Sequence, residues 1–380
     1  MQLTALQLLH FKNWPEADLA FCSGVNCLLG DNGSGKTNVL DAVHYLCLTK
    51  SYFNPIDQYN IAHGAEHMLV SGTFERRGEV EVVACGVQRG VKKTMRRNDK
   101  AYDRLSDHIG RFPAVMIAPD DASIIHEGSD ARRKWMDSVV CQLDRPYLQQ
   151  LVDYNKALTQ RNNLLRYFAE NRVWDAAMLE PWTEQMIPTA RAIRARRSAF
   201  VAAFNPMFER VYAELSGRKE QARVVYKTHV PDEDEAARAM WRGAEADDRR
   251  LRRTTVGVHK DDLVFELDGH PLKRMGSQGQ QKSFLIALRL AQLAFMEAAT
   301  GVKPILLLDD IFDKIDDKRV AALMDLVTRD EVGQVFITDT SLGRIPDLFR
   351  EAGADVRVFE VVRGAAERVD LAQPTGPEKP

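Results

Sequence analysis

Hydrophobic and polar residues alternate over positions 1–29 of the chain, a pattern typical of short β-strands joined by turns. A glycine-rich turn follows the last alternating run, and from Lys36 the apolar spacing becomes helical. The apolar stripe of this helix carries Val39, Leu40, Val43 and Leu46. The pattern therefore predicts a strand, a glycine-rich loop and a helix, in that order.

The middle of the chain changes from strand-like to helical. Residues 69–103 predict an antiparallel meander, in which Asn98 and Asp99 form a hairpin turn, and 114–118 predict a short buried strand. After Ser129 the spacing is helical, and we expect four prolines to divide this stretch into several helices. These prolines are Pro146, Pro181, Pro188 and Pro206.

Strand and helix patterns alternate again from Val256, and the run ILLL at 305–308 is apolar enough to be buried on both faces of a sheet. Two α/β halves flanking a helical stretch indicate one discontinuous α/β domain, split by a mostly helical second domain. The expected parts are an N-terminal α/β part at 1–125, a helical insert at 126–253, a C-terminal α/β part at 254–372 and a disordered tail at 373–380.

Composition narrows the class of protein. The 380 residues are 45% hydrophobic and 28% charged, which is typical of a globular protein with a sizeable core. No signal peptide is indicated and no apolar run approaches the ~20 residues that span a bilayer, so we expect a cytoplasmic protein without a membrane partner. Five scattered cysteines without a CxxC pair predict reduced thiols. The net charge of -2 gives no overall sign of nucleic-acid binding.

The glycine-rich loop reads GDNGSGKT at 30–37 and fits the phosphate-binding pattern G-x-x-x-x-G-K-[ST], in the required context between a strand and a helix. The backbone N–H groups and the helix N-terminus favour a polyphosphate, Lys36 would reach its β and γ phosphates, and Thr37 would bind Mg²⁺. A chance glycine turn is the competing interpretation, and the strand and helix context makes it the weaker one. ATP and Mg²⁺ are the predicted cofactors. The predicted nucleotide-binding residues are Gly30, Asp31, Asn32, Gly33, Ser34, Gly35, Lys36 and Thr37.

A second motif, ILLLDD at 305–310, is acidic at its end and predicts a buried strand that ends in two carboxylates. Asp309 would bind Mg²⁺, and Asp310 would polarise the attacking water, with Lys36 also assigned to catalysis. Together with the phosphate loop, this motif resembles those of ABC-type ATPases, which usually carry glutamate at the position of Asp310, so we expect a weak, Mg-dependent ATPase that acts as a binding switch. The competing interpretation is a strand that ends in a solvated acidic turn.

The segment GSQGQQKS at 276–283 precedes a long apolar helix and resembles the ABC signature LSGGQ. Ser277, Gly279 and Gln280 match it, whereas Gly276 and Gln278 depart from it. In ABC proteins this motif faces the γ phosphate held by another subunit, so the resemblance implies a homodimer that forms on ATP. A helix cap by Ser277 is the structural alternative.

Two further segments fall where ABC proteins place nucleotide-sensing residues. FDKIDD at 312–317 takes the place of the D-loop, and the resemblance assigns Asp316 to catalysis. FITDT at 336–340 ends the next strand, and Thr338, Asp339 and Thr340 all remain candidates for sensing the γ phosphate.

Longer segments resemble the RecF family of SMC-like ATPases. They are LQLLHFKNWPEADLAF at 6–21, PDDASIIHEGSDARRKWMD at 119–137 and GVHKDDL at 257–263. Asp120, Val258 and Lys260 depart from the family pattern. The resemblance implies an ABC/SMC-like head fold and an ATP-dependent clamp on duplex and gapped DNA. It also implies RecR and RecO as partners, in a pathway that helps RecA displace single-strand binding protein.

A basic hairpin at 89–104 adds physical support for DNA, since its cations could follow a phosphate backbone. The candidate DNA-binding residues are Lys92, Lys93, Arg96 and Arg97. A solvated, charge-protected edge strand is the alternative for this hairpin. For the whole chain the alternatives are the ATPase subunit of an ABC transporter and an ATP-gated scaffold with negligible hydrolysis.

Overall fold

The computed structural model describes residues 1–218, 220–311, 327, 332–340, 353 and 355–369. The chain divides into two compact units. The first comprises Met1–Asp121 and Ile286–Pro380, and the second comprises Ala122–Leu285.

A mostly parallel sheet forms one layer of the first unit. Its strand order is β15-β14-β3-β13-β12-β8, and among the described strands only β15 runs antiparallel to its neighbour. The strands are β3 (Val25–Leu29), β8 (Ala114–Ile117), β12 (Ile305–Asp309), β13 (Val335–Asp339), β14 (Val356–Val362) and β15 (Ala365–Val369). Every residue of β3, β8 and β12 is buried, as expected of strands covered on both faces.

An antiparallel sheet of order β2-β1-β4-β5-β6-β7 forms another layer of the same unit. Its strands are β1 (Gln2–Phe11), β2 (Trp14–Ala20), β4 (His67–Arg76), β5 (Glu79–Gln88), β6 (Thr94–Arg97) and β7 (Lys100–Ala101). Helix α1 (Lys36–Leu48) contributes to the core that joins both sheets. The predicted hairpin turn is confirmed, because Asn98 and Asp99 have φ values of 48° and 63° between paired strands.

The second unit is mostly helical. Its helices are α2 (Ala122–His126), α3 (Ser129–Leu143), α4 (Arg145–Asn171), α5 (Glu180–Ser216), α6 (Asp234–Gly243), α7 (Glu245–Leu251) and α8 (Leu272–Met275). Pro146 and Pro181 lie in the first turns of α4 and α5, where the missing N–H costs nothing. The expectation that Pro188 and Pro206 would end helices is wrong, because α5 continues through both. Its apolar face packs against α4 and β9 (Ala222–Lys227), which stabilises the helix despite each lost hydrogen bond.

The boundary predicted at residue 253 differs from the compact units, the second of which extends to Leu285. The physical reason is a small sheet of order β11-β10-β9, in which β10 (Asp262–Leu267) pairs with β9 and with β11 (His270–Pro271). A strand from the expected insert therefore holds a strand from the expected C-terminal part.

Helix α9 (Gln278–Thr300) is, among the described residues, a segment long and apolar enough to cross a membrane. This differs from the expectation that no such run exists. Because 67% of its most apolar window is buried inside the protein, the helix is accounted for as a core element.

Candidate nucleotide site

The phosphate loop connects the end of β3 to the start of α1. Gly30, Gly33 and Gly35 have φ values of 150°, 79° and 119°, which side-chain-bearing residues rarely adopt. A Cβ on Gly30 would also lie 2.3 Å from the carbonyl oxygen of Val361. The sequence therefore needs glycine here for both conformation and space, and the loop ends at the N-terminus of a 13-residue helix.

Lys36 begins α1 and is 7% exposed. Its Nζ donates hydrogen bonds to the carbonyl oxygens of Gly30 and Asp31, at 2.6 and 2.8 Å. Desolvation lowers the pKa of the ammonium, although the nearby carboxylates of Asp310 and Asp309 oppose this shift. The cation is thus held within the curl of the loop, where a phosphate would meet it.

Thr37 and Asp309 lie together at the carboxyl edge of the parallel sheet. The Thr37 hydroxyl donates to Asp309 Oδ1 at 2.8 Å, and the Thr338 hydroxyl donates to the same oxygen at 2.8 Å. Burial raises the pKa of the Asp309 carboxyl, and the two hydroxyl hydrogen bonds oppose this shift. A hydroxyl and a carboxylate are hard oxygen ligands that fit Mg²⁺.

Asp310 follows Asp309 directly but lies in a different environment. It is exposed, and its φ of 47° places it in the left-handed region. Its backbone N–H donates to Thr338 Oγ1 at 3.0 Å, so Thr338 contacts both acidic residues. Thr338 is one of the three candidates for sensing the γ phosphate. Its hydroxyl contacts both acidic residues and so helps to orient them.

One buried group in the loop fits an anion. The hydroxyl of Ser34, a residue 7% exposed, has no hydrogen-bond partner among the described residues. Buried hydroxyls are normally paired, so this hydroxyl is suited to a ligand that accepts its hydrogen bond. Across the described parts of the chain, no cluster of three or more histidine, cysteine or acidic side chains could hold a metal by itself.

The signature-like segment belongs to the second unit. The Ser277 N–H donates to Gln280 Oε1 at 2.7 Å, and the Gln280 N–H donates to Ser277 Oγ at 3.2 Å. This reciprocal pair is a capping box at the start of α9. Ser277 is exposed, and the Gln280 side chain also donates to Glu220 at 2.7 Å. The cap that was the structural alternative is thus present, on a side chain still accessible from outside.

Comparisons with known proteins identify the family. The family model described as RecF/RecN/SMC N terminal domain matches residues 2–361. A Flavobacterium johnsoniae protein named DNA replication and repair protein RecF is 44% identical over 361 residues, which cover 95% of this chain and 100% of that protein. A protein of the same name from Phocaeicola vulgatus is 43% identical, over 98% of this chain and 100% of its own. The chain belongs to the RecF family.

Solved structures agree with this membership and confirm the predicted head fold. The structure described as the recombination mediator protein RecF-ATP in the RecFOR pathway has a TM-score of 0.87 and 26% identity, covering 97% of each chain. An SMC head bound to the C-winged helix domain of ScpA has a TM-score of 0.57 at 16% identity, which indicates a shared fold.

The RecF-like segments mostly form internal contacts. In the second unit, Arg132 of the 119–137 segment makes an ion pair with Asp262 of the 257–263 segment at 2.8 Å. Arg133 donates to the Asp261 carbonyl oxygen at 2.7 Å. In the first unit, the buried Asp121 pairs with Arg289. These motifs therefore hold each unit together from within.

The four basic candidates on the hairpin separate into two pairs. Lys93 is partly buried, with Nζ 2.9 Å from Asp57 and over the ring of Tyr45, and Arg97 makes an ion pair with Glu81 at 2.8 Å. Lys92 and Arg96 are exposed. Side chains alternate along a strand, so Arg96 projects to the face opposite the buried Met95. Only Lys92 and Arg96 are presented to a ligand without a competing intramolecular ion pair among the described residues.

Some residues around the site were not predicted. Asn13 and Trp14 contact the phosphate loop, and Thr338 was one of three alternatives. A polar residue beside an aromatic one in a strand-to-strand turn was the available signal for Asn13 and Trp14. Asp316 lies outside the described residues.

Proposed function

We propose that the chain is an ATP-binding switch of the RecF type, acting in recombinational repair of DNA. The observation that carries this is the hydrogen bond between Thr37 of helix α1 and Asp309 of strand β12, which are distant in sequence, beside Lys36 bound within the phosphate loop. Open α/β sheets bind ligands at the carboxyl ends of their strands. The RecF relatives and the structure of RecF with ATP support ATP as that ligand.

The triphosphate would be bound by the loop N–H groups, by the Ser34 hydroxyl and by the Lys36 ammonium. Thr37 and Asp309 would hold Mg²⁺, which when bound neutralises charge on the β and γ phosphates. Thr338 holds the Asp309 carboxylate in place through its 2.8 Å hydrogen bond. Asp310, exposed beside this pair, would orient the attacking water and accept its proton.

Weak hydrolysis suits a switch. Aspartate is one methylene shorter than the glutamate usual in ABC-type ATPases, so Asp310 would hold water less closely. ATP binding would join two copies of the chain, with exposed Ser277 at the start of α9 presented to the partner's γ phosphate. Hydrolysis would then release the dimer.

DNA would be held through the antiparallel sheet, with Lys92 and Arg96 as the phosphate contacts. The RecF relationship supports RecR and RecO as partners. The protein would help RecA to bind at gapped DNA, and it would do so in the cytoplasm.

The decisive experiment compares binding to gapped duplex and to blunt duplex, with and without ATP. We expect ATP to strengthen binding and gapped DNA to be preferred. Equal binding with and without ATP would contradict the switch.

The DNA surface can be tested by charge reversal. Lys92→Glu with Arg96→Glu should reduce the magnitude of the negative slope of log affinity against log salt by about 2, since each lost phosphate contact removes about 1. A matched control, Arg242→Glu with Arg250→Glu, makes the same charge change on exposed helices of the second unit. If the hairpin variant keeps the wild-type slope, this surface does not contact DNA.

A further inference from the structure

Two turns outside the phosphate loop contact it from the side of its carbonyl oxygens. One turn joins β1 to β2 and carries Asn13 next to Trp14. The other joins β14 to β15 and carries Gly364. We refer to Asn13, Trp14 and Gly364 together as the loop buttress, and we propose that it positions the phosphate-binding N–H groups. This proposal rests on the proposed function as an ATP-binding protein.

Three donors of the buttress fix two consecutive peptide groups. Asn13 Nδ2 and the Gly364 N–H both donate to the Ser34 carbonyl oxygen, at 3.1 and 2.9 Å. Trp14 Nε1 donates to the Gly35 carbonyl oxygen at 3.0 Å. The buttress therefore holds the carbonyls of the Ser34–Gly35 and Gly35–Lys36 peptide groups.

The geometry of the peptide bond turns this into a statement about phosphate binding. In a planar trans peptide the N–H points opposite to the C=O. Fixing the Ser34 and Gly35 carbonyls toward the buttress directs the N–H groups of Gly35 and Lys36 the other way. These N–H groups stand at the start of α1, where helical amides have no intrahelical acceptor. They are thus aimed at an external anion before it arrives.

The buttress is closely packed, so its position is determined. Trp14 is fully buried, and Asn38 Nδ2 of α1 donates to Asn13 Oδ1 at 2.7 Å. A Cβ on Gly364 would lie 2.0 Å from the Asn13 carbonyl oxygen, and Gly364 has a φ of 77°. A Cβ on Gly35 would lie within 2.9 Å of Asn13 and Trp14. Two glycines therefore permit the close approach of the turns and the loop.

This arrangement assigns Asn13 and Trp14 as positioning residues for the nucleotide. Their side-chain donors contact the loop carbonyls, and the loop N–H groups would contact the phosphates. Loss of either side-chain donor should lower phosphate affinity. Asn13 is exposed, so its substitution should leave the fold intact.

The test measures binding of ATPγS by calorimetry, and binding of inorganic tripolyphosphate by competition, to the full chain. Asn13→Ala and Trp14→Phe each remove one neutral donor and should weaken both affinities about threefold to tenfold. Because the loss lies at the phosphates, its size should be the same for both ligands. The melting temperature of the ligand-free Asn13→Ala variant should match that of the wild type.

Two controls make the result specific. Asn171 is another exposed asparagine, and its Nδ2 donates to the Tyr167 carbonyl oxygen at 2.9 Å. Asn171→Ala removes this donor and should leave ATPγS affinity unchanged. Asn13→Asp keeps the shape of Asn13 but lacks its N–H, and should lose at least as much affinity as Asn13→Ala.

The outcomes separate the two proposals. If the wild type binds ATPγS, Lys36→Ala abolishes binding, and Asn13→Ala and Trp14→Phe bind as well as the wild type, the buttress is refuted and the proposed function stands. A wild type that binds neither ATPγS nor tripolyphosphate would overturn the proposed function itself. A loss for ATPγS without a loss for tripolyphosphate would also refute the buttress, because it would place the effect at the nucleoside.

Discussion

Asp309 and Asp310 are neighbours in sequence but differ in burial, conformation and hydrogen bonding. Asp309 is 4% exposed, and Thr37 and Thr338 donate to it, which suits a fixed metal ligand. Asp310 is exposed and adopts a left-handed conformation, which suits a group that meets water. Pairs of acids in unlike environments commonly divide such roles. The backbone contact from Asp310 to Thr338 links the two residues.

Asp310→Asn tests the assigned role of this residue. Asparagine has the same shape and tolerates a φ of 47°, so the backbone should be undisturbed. We expect ATP affinity to stay within about twofold and single-turnover hydrolysis to fall about 100-fold, the low end for loss of a general base. Phosphate release measures the rate, and Asp268→Asn, at another left-handed aspartate, is the control. Undiminished hydrolysis would remove Asp310 from catalysis, and intact repair in cells without hydrolysis would favour the scaffold alternative.

Two buried histidines and one partly buried histidine predict how stability depends on pH. Desolvation lowers the pKa of His44, His108 and His259 to about 4 in the folded protein, from 6.5. The fold therefore favours the neutral form, and this stabilisation is complete above pH 6.5 and is lost as pH falls toward 4. Each group should contribute on the order of 1 to 3 kcal/mol across this window. The free energy of unfolding, measured between pH 7 and 5, should fall less steeply in His259→Asn than in the wild type. Equal slopes would show that His259 is not buried as a neutral ring.

For single residues, the sequence predicted roles that depend on contiguous motifs and missed contacts between residues distant along the chain. The phosphate loop and the two acids are contiguous patterns, so their residues could be named directly. The partners of Lys93 and Arg97 lie 36 and 16 residues away, and nothing in a basic run reveals them. Thr338 contacts Asp309 from the neighbouring strand, 29 residues away.

At the scale of elements, a buried charge network holds the helical unit together. Arg197 of α5 is 2% exposed and pairs with Asp137 of α3 at 3.0 Å and with Asp261 at 2.9 Å. Its guanidinium also donates to the Val258 carbonyl oxygen at 2.8 Å. Despite desolvation, the Asp137 carboxylate, together with Tyr147 and Tyr226, raises the pKa of Arg197, so the cation stays charged. The RecF-like 257–263 segment is thereby fixed to two helices.

Arg197→Met should destabilise this unit strongly, because it leaves two carboxylates without their buried cation. Removing one partner of a buried pair costs about 3 to 5 kcal/mol. Tryptophan fluorescence during urea unfolding measures the change, since Trp135 and Trp241 are buried in this unit. Arg238→Met, which breaks the exposed pair with Glu184, is the matched control and should shift the midpoint little. Similar shifts for both variants would mean that burial does not set the strength of the network.

The sequence predicted the presence of these elements better than the residues at which they begin and end. Apolar periodicity located α5, but local proline rules divided it, because they omit the packing of its apolar face on α4 and β9. The boundary predicted at residue 253 differs from the end of the second compact unit for a similar reason. The pairing of β10 with β9 is a long-range contact that spacing along the chain does not encode.

For the whole molecule, the open question is how one chain's nucleotide site becomes a switch between two chains. The proposed connection is Ser277, which is exposed and accepts a hydrogen bond from the Gln280 N–H at the start of the 23-residue helix α9.

Ser277→Asp preserves the cap, because aspartate accepts the same bond, but it places a negative charge where a partner's γ phosphate would lie. Ser277→Asn preserves the cap without the charge. Sedimentation velocity of both variants in the Asp310→Asn background, with and without ATP, should show ATP-dependent dimers for Ser277→Asn and monomers for Ser277→Asp. The ATP affinity of the monomer, measured at protein concentrations too low for dimers to form, should be equal in the two. If Ser277→Asp forms dimers as readily as Ser277→Asn, α9 does not face a phosphate in the dimer, and the switch requires another contact between the chains.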